Sequence, residues 1–344
     1  MFNKKYKIKV YTKANVYKST VSPKDVISNI AFSQTINAGQ WDTNITLNES
    51  IETTKFVNGD LVKVYEYDDD DKTGSQVYFW YISWIERNQT VSSQTVVLEC
   101  LGVWALLSDV IFYYGAVYNP TINDDPANII KFVVDYFNSQ YGWSILTYDA
   151  WSIIDYWSSI NIWTYYLSCF DAIKNVADAT DYYRFVDSTW LVHFKPYPTT
   201  ATHKLTNQKD VESIVITNDI IDIVNKLHLE RDWSVIATYQ DATSQTTYGI
   251  REAYLSKTNI LDNASQDIYG ANYIADNKDP KKAINIVINS QYDIESINPW
   301  DTIKIKNFNY SIDNLQVRQT NYDWDKLTIA VEKFVSLNEV LFET

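Results

Sequence analysis

Cysteine is almost absent: Cys100 and Cys169 are the only two in 344 residues. Each sits inside an apolar stretch, where a free thiol behaves as a small hydrophobe, so no disulfide framework is expected and the chain should fold in a reducing cytoplasm. Glycine is scarce, with 8 residues, and no glycine-rich phosphate loop is found. Only three histidines exist, His193, His203 and His228. None has a carboxylate or cysteine at ligand or triad spacing, which argues against a zinc site or a nucleophilic triad. No catalytic, metal or cofactor-binding residue is therefore nominated, no cofactor is expected, and the chain is read as a non-enzyme. Basic residues are in deficit, 29 against 43 acidic, for a net charge of -14. That excludes the broad basic surface from which nucleic-acid binding draws its affinity. An acidic surface suits a solubility device, or the wall of a passage to which DNA must not stick. No stretch approaches membrane-spanning length, and residues 1–10 lack the continuous apolar core of a signal peptide, so no membrane insertion is expected.

What is abundant is aromatic: 12 Trp and 27 Tyr. Such side chains favour strands and interfaces, because they bury a large area at low entropic cost while keeping a polar handle. Saccharide-binding surfaces use them too. With 46% hydrophobic residues the chain can bury a sizeable core, and at this length two or more compact units are expected.

Residues 4–12 alternate Tyr6, Ile8 and Val10 with Lys5, Lys7 and Lys9, the period of a half-buried strand. Residues 30–36 and 43–47 flank a turn composition at 37–40 and are predicted to pair as a hairpin. Further strands are predicted over 61–67, 77–85 and 95–101, enough for a small barrel or sandwich in residues 1–110. Helical signals follow. Asp125 before Pro126 is an N-cap with proline at the first helical position, and Ile129, Ile130, Val133, Val134 and Phe137 form one stripe, with Gly142 as a stop. A second helix is predicted over 167–180 and a hairpin around Asp187-Ser188, making 111–205 a mixed α+β region. From 206 to 344 β patterns return in 213–217, 224–230 and 248–255. Only a helix over 264–275, capped by Asp262 or Asn263, interrupts them, as a helical insertion near 262–277. The expected fold class is α+β, mainly β: two related small barrels with the mixed region between them.

The two barrels are suggested by a repeat. Asp60-Leu61-Val62-Lys63-Val64 matches Asp301-Thr302-Ile303-Lys304-Ile305. Tyr81 to Ile85 is aligned with Ser311 to Leu315, and Thr95 to Glu99 with Lys326 to Ala330. Two similar barrels per subunit would let a threefold ring imitate sixfold symmetry.

These segments resemble a known family. Gly59-Asp60-Leu61-Val62-Lys63-Val64, then Tyr81-Ile82-Ser83-Trp84-Ile85-Glu86-Arg87, then the leucine-rich run from Val96 to Ser108 look like the N-terminal barrel of phage baseplate hub and tail-associated proteins. Near the other end, Asn298-Pro299-Trp300-Asp301-Thr302 resembles the family's second barrel turn, with Trp300 where glycine is usual. The resemblance implies a structural hub of the virion tail tip, assembled in the bacterial cytoplasm. It implies a homotrimeric ring that docks on the hexameric distal tail protein and closes or guides the DNA exit channel, with tape-measure and receptor-binding proteins as further partners. Relatives often continue into an enzymatic or fibre domain; the end of this chain at Thr344 leads us to expect none. On this reading the motif residues are Gly59, Asp60, Ile82, Trp84, Trp300 and Asp301.

The acidic run Asp68 to Asp71 lacks the alternating ligand spacing of a calcium loop and reads as a solvated turn. The aromatic clusters around Trp80, Trp151, Trp157 and Trp163 are candidate subunit contacts. The alternative is a sugar-stacking platform, in which case the protein would be a module that binds or cleaves cell-wall glycans.

Overall fold

The structure is a computed structural model. It describes residues 5–21, 26, 31–36, 39–40, 43–48, 56–67, 74–90, 94–112, 121–141, 144–163, 166–219, 222–231, 235–289, 292–306, 312–323 and 326–334. Asn37, Ala38, the 68–71 acidic run, Gly142 and Ser311 lie outside these residues.

The fold is α+β and mainly β, built on two curled sheets. The first runs Tyr17–Val21, Lys5–Tyr11, Leu61–Tyr67, Ser75–Gln89, Gln94–Gly102, Thr43–Asn48, with every neighbouring pair antiparallel. The second runs His203–Thr206, Thr302–Lys306, Ile312–Asp323, Lys326–Phe334, Lys281–Asn289, Val211–Asp219, and only its first pair is parallel. Alternation sets which face is buried: Tyr6, Ile8 and Val10 point inward on one sheet, and Ile284, Ile286 and Ile288 on the other. These two inner faces form a single apolar core. Tyr6 and Tyr322 meet across it edge to face, their ring centroids 6.2 Å apart and their hydroxyls hydrogen-bonded.

The predicted hairpin over 30–47 is corrected. Gln34 and Thr35 do turn back to pair with Gln40 and Gly39, but Ala31–Thr35 lies in the second sheet beside Ile312–Asp323. Thr43–Asn48 crosses to the first sheet and pairs with Gln94–Gly102. The crossing follows from burial. Ile45 and Leu47 are fully buried in the common core, next to Val96 and Leu98 on the partner strand.

Ser75–Gln89 serves two cores. Tyr78 and Trp80 stack in parallel within the core between the sheets, while Phe79 enters a second core with Tyr81 packed at its margin. The second core lies under the mixed region and gathers the helices Pro126–Tyr141, Cys169–Thr180 and Asn263–Asn277. Asp125 accepts from the Ala127 N–H at 2.8 Å, Ser168 caps its helix through the Asp171 N–H, and Asp262 accepts from Ser265 N–H at 2.7 Å. A three-stranded sheet centred on Lys226–Arg231 packs on Asn263–Asn277. Gly270 is required there, since a methyl group at that position would overlap the Tyr239 ring.

One helix was not predicted. Ala242–Tyr248 is helical, capped by Asp241 and ended by Gly249 at φ 76°, so the strand expected from 248 begins at Glu252. Its sequence ATSQTTY offers no apolar stripe, and only the cap and the glycine mark it. Both cysteines are buried and free. Burial pushes the Cys169 thiol up to about 12 and the Cys100 thiol up as well.

Candidate functional site

The motif residues build two matching turns. Asp60 donates its N–H to the Val57 carbonyl (3.1 Å), and its carboxylate accepts from the Val57 N–H (3.0 Å) and from Lys18 Nζ (2.6 Å). Asp301 donates to the Asn298 carbonyl (3.0 Å), and its carboxylate accepts from the Asn298 N–H (2.7 Å) and from His203 Nε2 (3.0 Å). Each aspartate carbonyl then accepts from the second strand, at Ile82 N–H (2.8 Å) or Val317 N–H (2.9 Å). Gly59 takes a positive φ of 88° in the first turn, whereas Trp300 keeps the second turn closed without one. Trp300 lies parallel on the Phe185 ring, which lies parallel on His193. Ile82 is buried and Trp84 exposed.

The repeat is therefore present in space, with one correction of register. The first and third strands align as the sequence suggests. The second does not: Ile82 corresponds to Val317 rather than to Ile312. Both strands carry a bulge just after these residues, between Ile82 and Trp84 in one copy and between Val317 and Gln319 in the other. The bulged residues are Ser83 and Arg318. A fourth pair joins the repeat, because Thr43–Asn48 flanks the third strand of its sheet as residues 284–289 flank theirs. YISWI and QVRQT share too little apolar pattern for the sequence to reveal this register.

The four candidate interface tryptophans divide. Trp80 is wholly buried in the core between the sheets and stacked on Tyr78, so it cannot meet a partner. Its place on a strand covered on both faces accounts for this. Trp151 and Trp157 are the opposite, 82% and 86% exposed, and Trp163 is 37% exposed. Trp151 and Trp157 stand on a fixed loop. The Asp149 carboxylate accepts from the N–H groups of Trp151 (2.8 Å) and Ser152 (2.7 Å). The helix-capping Asp125 also accepts from Tyr156 (3.2 Å) and Trp157 (2.7 Å), and Trp157 takes φ 64°. Two large apolar side chains are thus held in solvent by backbone-to-carboxylate bonds, an arrangement suited to a preformed contact.

Each histidine has a carboxylate within reach: His193 with Asp187 (2.8 Å), His203 with Asp301 (3.0 Å) and His228 with Glu252 (3.9 Å). Sequence spacing concealed these pairs, the second of which joins residues 98 apart. Burial holds His193 below its ordinary value despite Asp187. Among the described residues no group of three metal-ligating side chains occurs.

Sequence reasoning also missed a polar cleft of about 380 Å³ between the helices Cys169–Thr180 and Asn263–Asn277. Arg184 and Arg318 reach it from two different sheets, Asp178, Asp181 and Asp276 from the helices and their ends, and Tyr269 and Tyr273 from one helix face. Arg184 is buried and bound to Asp178 at 3.2 Å. Burial lowers its pKa, with Asp178 opposing the shift. Arg318 lies over the Tyr197 ring and donates to its hydroxyl at 2.9 Å. The only sequence signal was the Tyr269, Tyr273, Asp276 spacing on a helix.

No protein-family model matches the chain, and no curated protein does. Solved structures do. The tail protein from Neisseria meningitidis MC58 superposes with a TM-score of 0.67 at 10% identity, covering 96% of this chain and 97% of its own. The 43 kDa tail protein of prophage MuSo2 from Shewanella oneidensis gives 0.66 at 10%, covering 95% and 98%. Prophage tail protein gp18 from Listeria monocytogenes EGD-e gives 0.60 at 10%, covering 97% and 97%. The shared feature at this identity is the fold, which extends end to end along both chains.

Proposed function

From a fold shared with phage tail proteins, we propose that the chain is a structural, non-catalytic subunit of a phage tail tip or baseplate. Three copies form a ring that docks on the hexameric distal tail protein and closes or guides the DNA exit channel. The observation that supports this best is the duplication of the Asp60 turn, its bulged strand and its neighbours at Asp301. A trimer of such chains presents six quasi-equivalent sheets, which lets it seat on a sixfold partner. The net charge of -14 is compatible with a passage that DNA slides through without sticking. Trp151 and Trp157 supply preformed anchors for subunit or neighbour contacts.

Light scattering with negative-stain imaging of the purified protein tests the reading. A ring-shaped trimer, alone or after addition of the distal tail protein, is the expected result. A monomer that stays monomeric and unbound in the presence of that partner overturns it.

A further inference from the structure

An acidic chain, with 29 basic against 43 acidic residues, carries a basic face on its first sheet. Because Tyr6, Ile8, Val10, Val62 and Val64 point into the core, Lys7, Lys9 and Lys63 lie on the outer face. Lys9 and Lys63 stand directly opposite each other on neighbouring strands, a like-charge pairing that costs stability. No carboxylate relieves it. Among the described residues Lys7, Lys9, Lys63 and Lys13, in the turn after the first strand, form no ion pair. Asp109 stands near Tyr81 and Tyr141 and pairs with none of the four. Their neighbours are aromatic: Lys9 Nζ lies 4.1 Å from the Tyr65 ring centroid, Lys13 Nζ 5.2 Å from that of Tyr141 and Lys63 Nζ 4.6 Å from that of Tyr11. A ring holds a cation without cancelling its charge. Lys7 and Lys13 are exposed.

The opposite character collects at the far end of the helix Pro126–Tyr141. Tyr141, its last residue, lies under Lys13, and Asp125, just before its first, holds the loop of Trp157. With 16 residues, the helix separates these ends by about 24 Å. At the tryptophan end stand Asp124 and Asp149, both exposed, and Asp155, 3.6 Å from Lys131. The Trp151 N–H, with that of Ser152, holds the Asp149 carboxyl below its ordinary range, so its charge persists. The helix dipole rationalises Asp125 and Lys13. It does not account for Lys7, Lys9 or Asp149, nor for two indole rings held 82% and 86% exposed.

We propose that the Trp151–Trp157 loop of one copy docks on the lysine face of the next, its indole rings against Lys7, Lys9 and Lys13 and its carboxylates opposite their charge. Trp is the best side-chain ring for holding a cation. The occupant is a second copy because the loop combines, in one fixed arrangement, the negative charge and the apolar rings that the face lacks a partner for. The two faces are different and lie at opposite ends of a helix, so the contact is head-to-tail, and its repetition generates a ring when the rotation closes. The proposal rests on the assembly reading and deepens it by naming the surfaces that meet.

The test is sedimentation of the full chain, alone and with the distal tail protein, in two variants. Lys7→Glu with Lys9→Glu reverses the face, and Trp151→Ala with Trp157→Ala removes the rings of the loop. Each should weaken self-association at least about tenfold while keeping the melting temperature. Lys7→Glu alone, at an exposed side chain, takes the place of the double variant if Lys9→Glu loosens the sheet. Mixed in equal amounts, the two variants should form a heterodimer and nothing larger, because together they hold a single intact contact. Self-association unchanged in both variants overturns the proposal and leaves the assembly reading in place. So does loss in each variant with no heterodimer in the mixture, since the two faces then do not meet each other. Self-association kept in the lysine variant while attachment to the distal tail protein is lost overturns it as well, and assigns the face to that partner. A native chain that self-associates under neither condition overturns both readings.

Discussion

Asp60 and Asp301 hold the same position in two turns, each accepting through its carboxylate the N–H of the residue three before it, yet Asp60 is completed by Lys18 and Asp301 by His203. Replacing either aspartate by alanine leaves a part-buried N–H, and the Lys18 or His203 side chain, without their acceptor. Each variant should lose about 1–3 kcal/mol, read by urea denaturation. Equal losses are expected if the turns are energetically as well as geometrically equivalent.

Trp80→Ala removes a fully buried ring from the core between the sheets and should cost about 3–5 kcal/mol. Chemical denaturation reads it directly. A cost below about 1 kcal/mol would place the ring on a surface instead.

Trp151→Ala and Trp157→Ala should leave thermal stability almost unchanged, within about 0.5 kcal/mol, while weakening contact with the distal tail protein or between subunits by tenfold or more. Asp125→Ala should do both kinds of damage. It uncaps a helix, at about 1 kcal/mol, and frees the loop bearing Trp157, visible as lower fluorescence anisotropy and faster amide exchange at Tyr156 and Trp157.

His193 is held below its ordinary pKa by burial, against the pull of Asp187. The unfolded chain therefore takes up this proton first as pH falls. Stability should decline as pH drops below about 6.5, and His193→Gln should flatten that decline. Asp187 is itself depressed: burial raises it, but hydrogen bonds from His193 and Thr189 outweigh that effect. Its contribution is present above about pH 3.9 and is lost as pH falls through the depressed value. Melting curves from pH 8 to pH 3 separate the two steps, and an unchanged profile in His193→Gln would exclude the first assignment.

Much of the architecture was legible because local chemistry and burial agree. The alternation in 4–12, the Asp125-Pro126 cap and the stripe through Phe137 each specify their element directly. Two kinds of information were not in the pattern. One is which sheet a strand joins: 31–35 and 43–48 read alike, and only packing against Ile312–Asp323 or Gln94–Gly102 sends them apart. The other is exposure of aromatics, since Trp80 and Trp151 are equivalent by composition and opposite in space. The cleft was illegible for a related reason, because Arg184, Asp276 and Arg318 come from distant segments and meet only after the second sheet forms.

Ala31–Thr35 belongs by position to the first half of the chain and by pairing to the sheet of the second. The two copies are thus laced together, and a gene fragment encoding either one would specify a sheet with a strand missing or a strand without a sheet. Once such an exchange is made, a duplication can no longer revert by deletion without losing the fold. Divergence between the halves, of which Ser83 against Arg318 is one instance, then becomes the only direction open to the sequence.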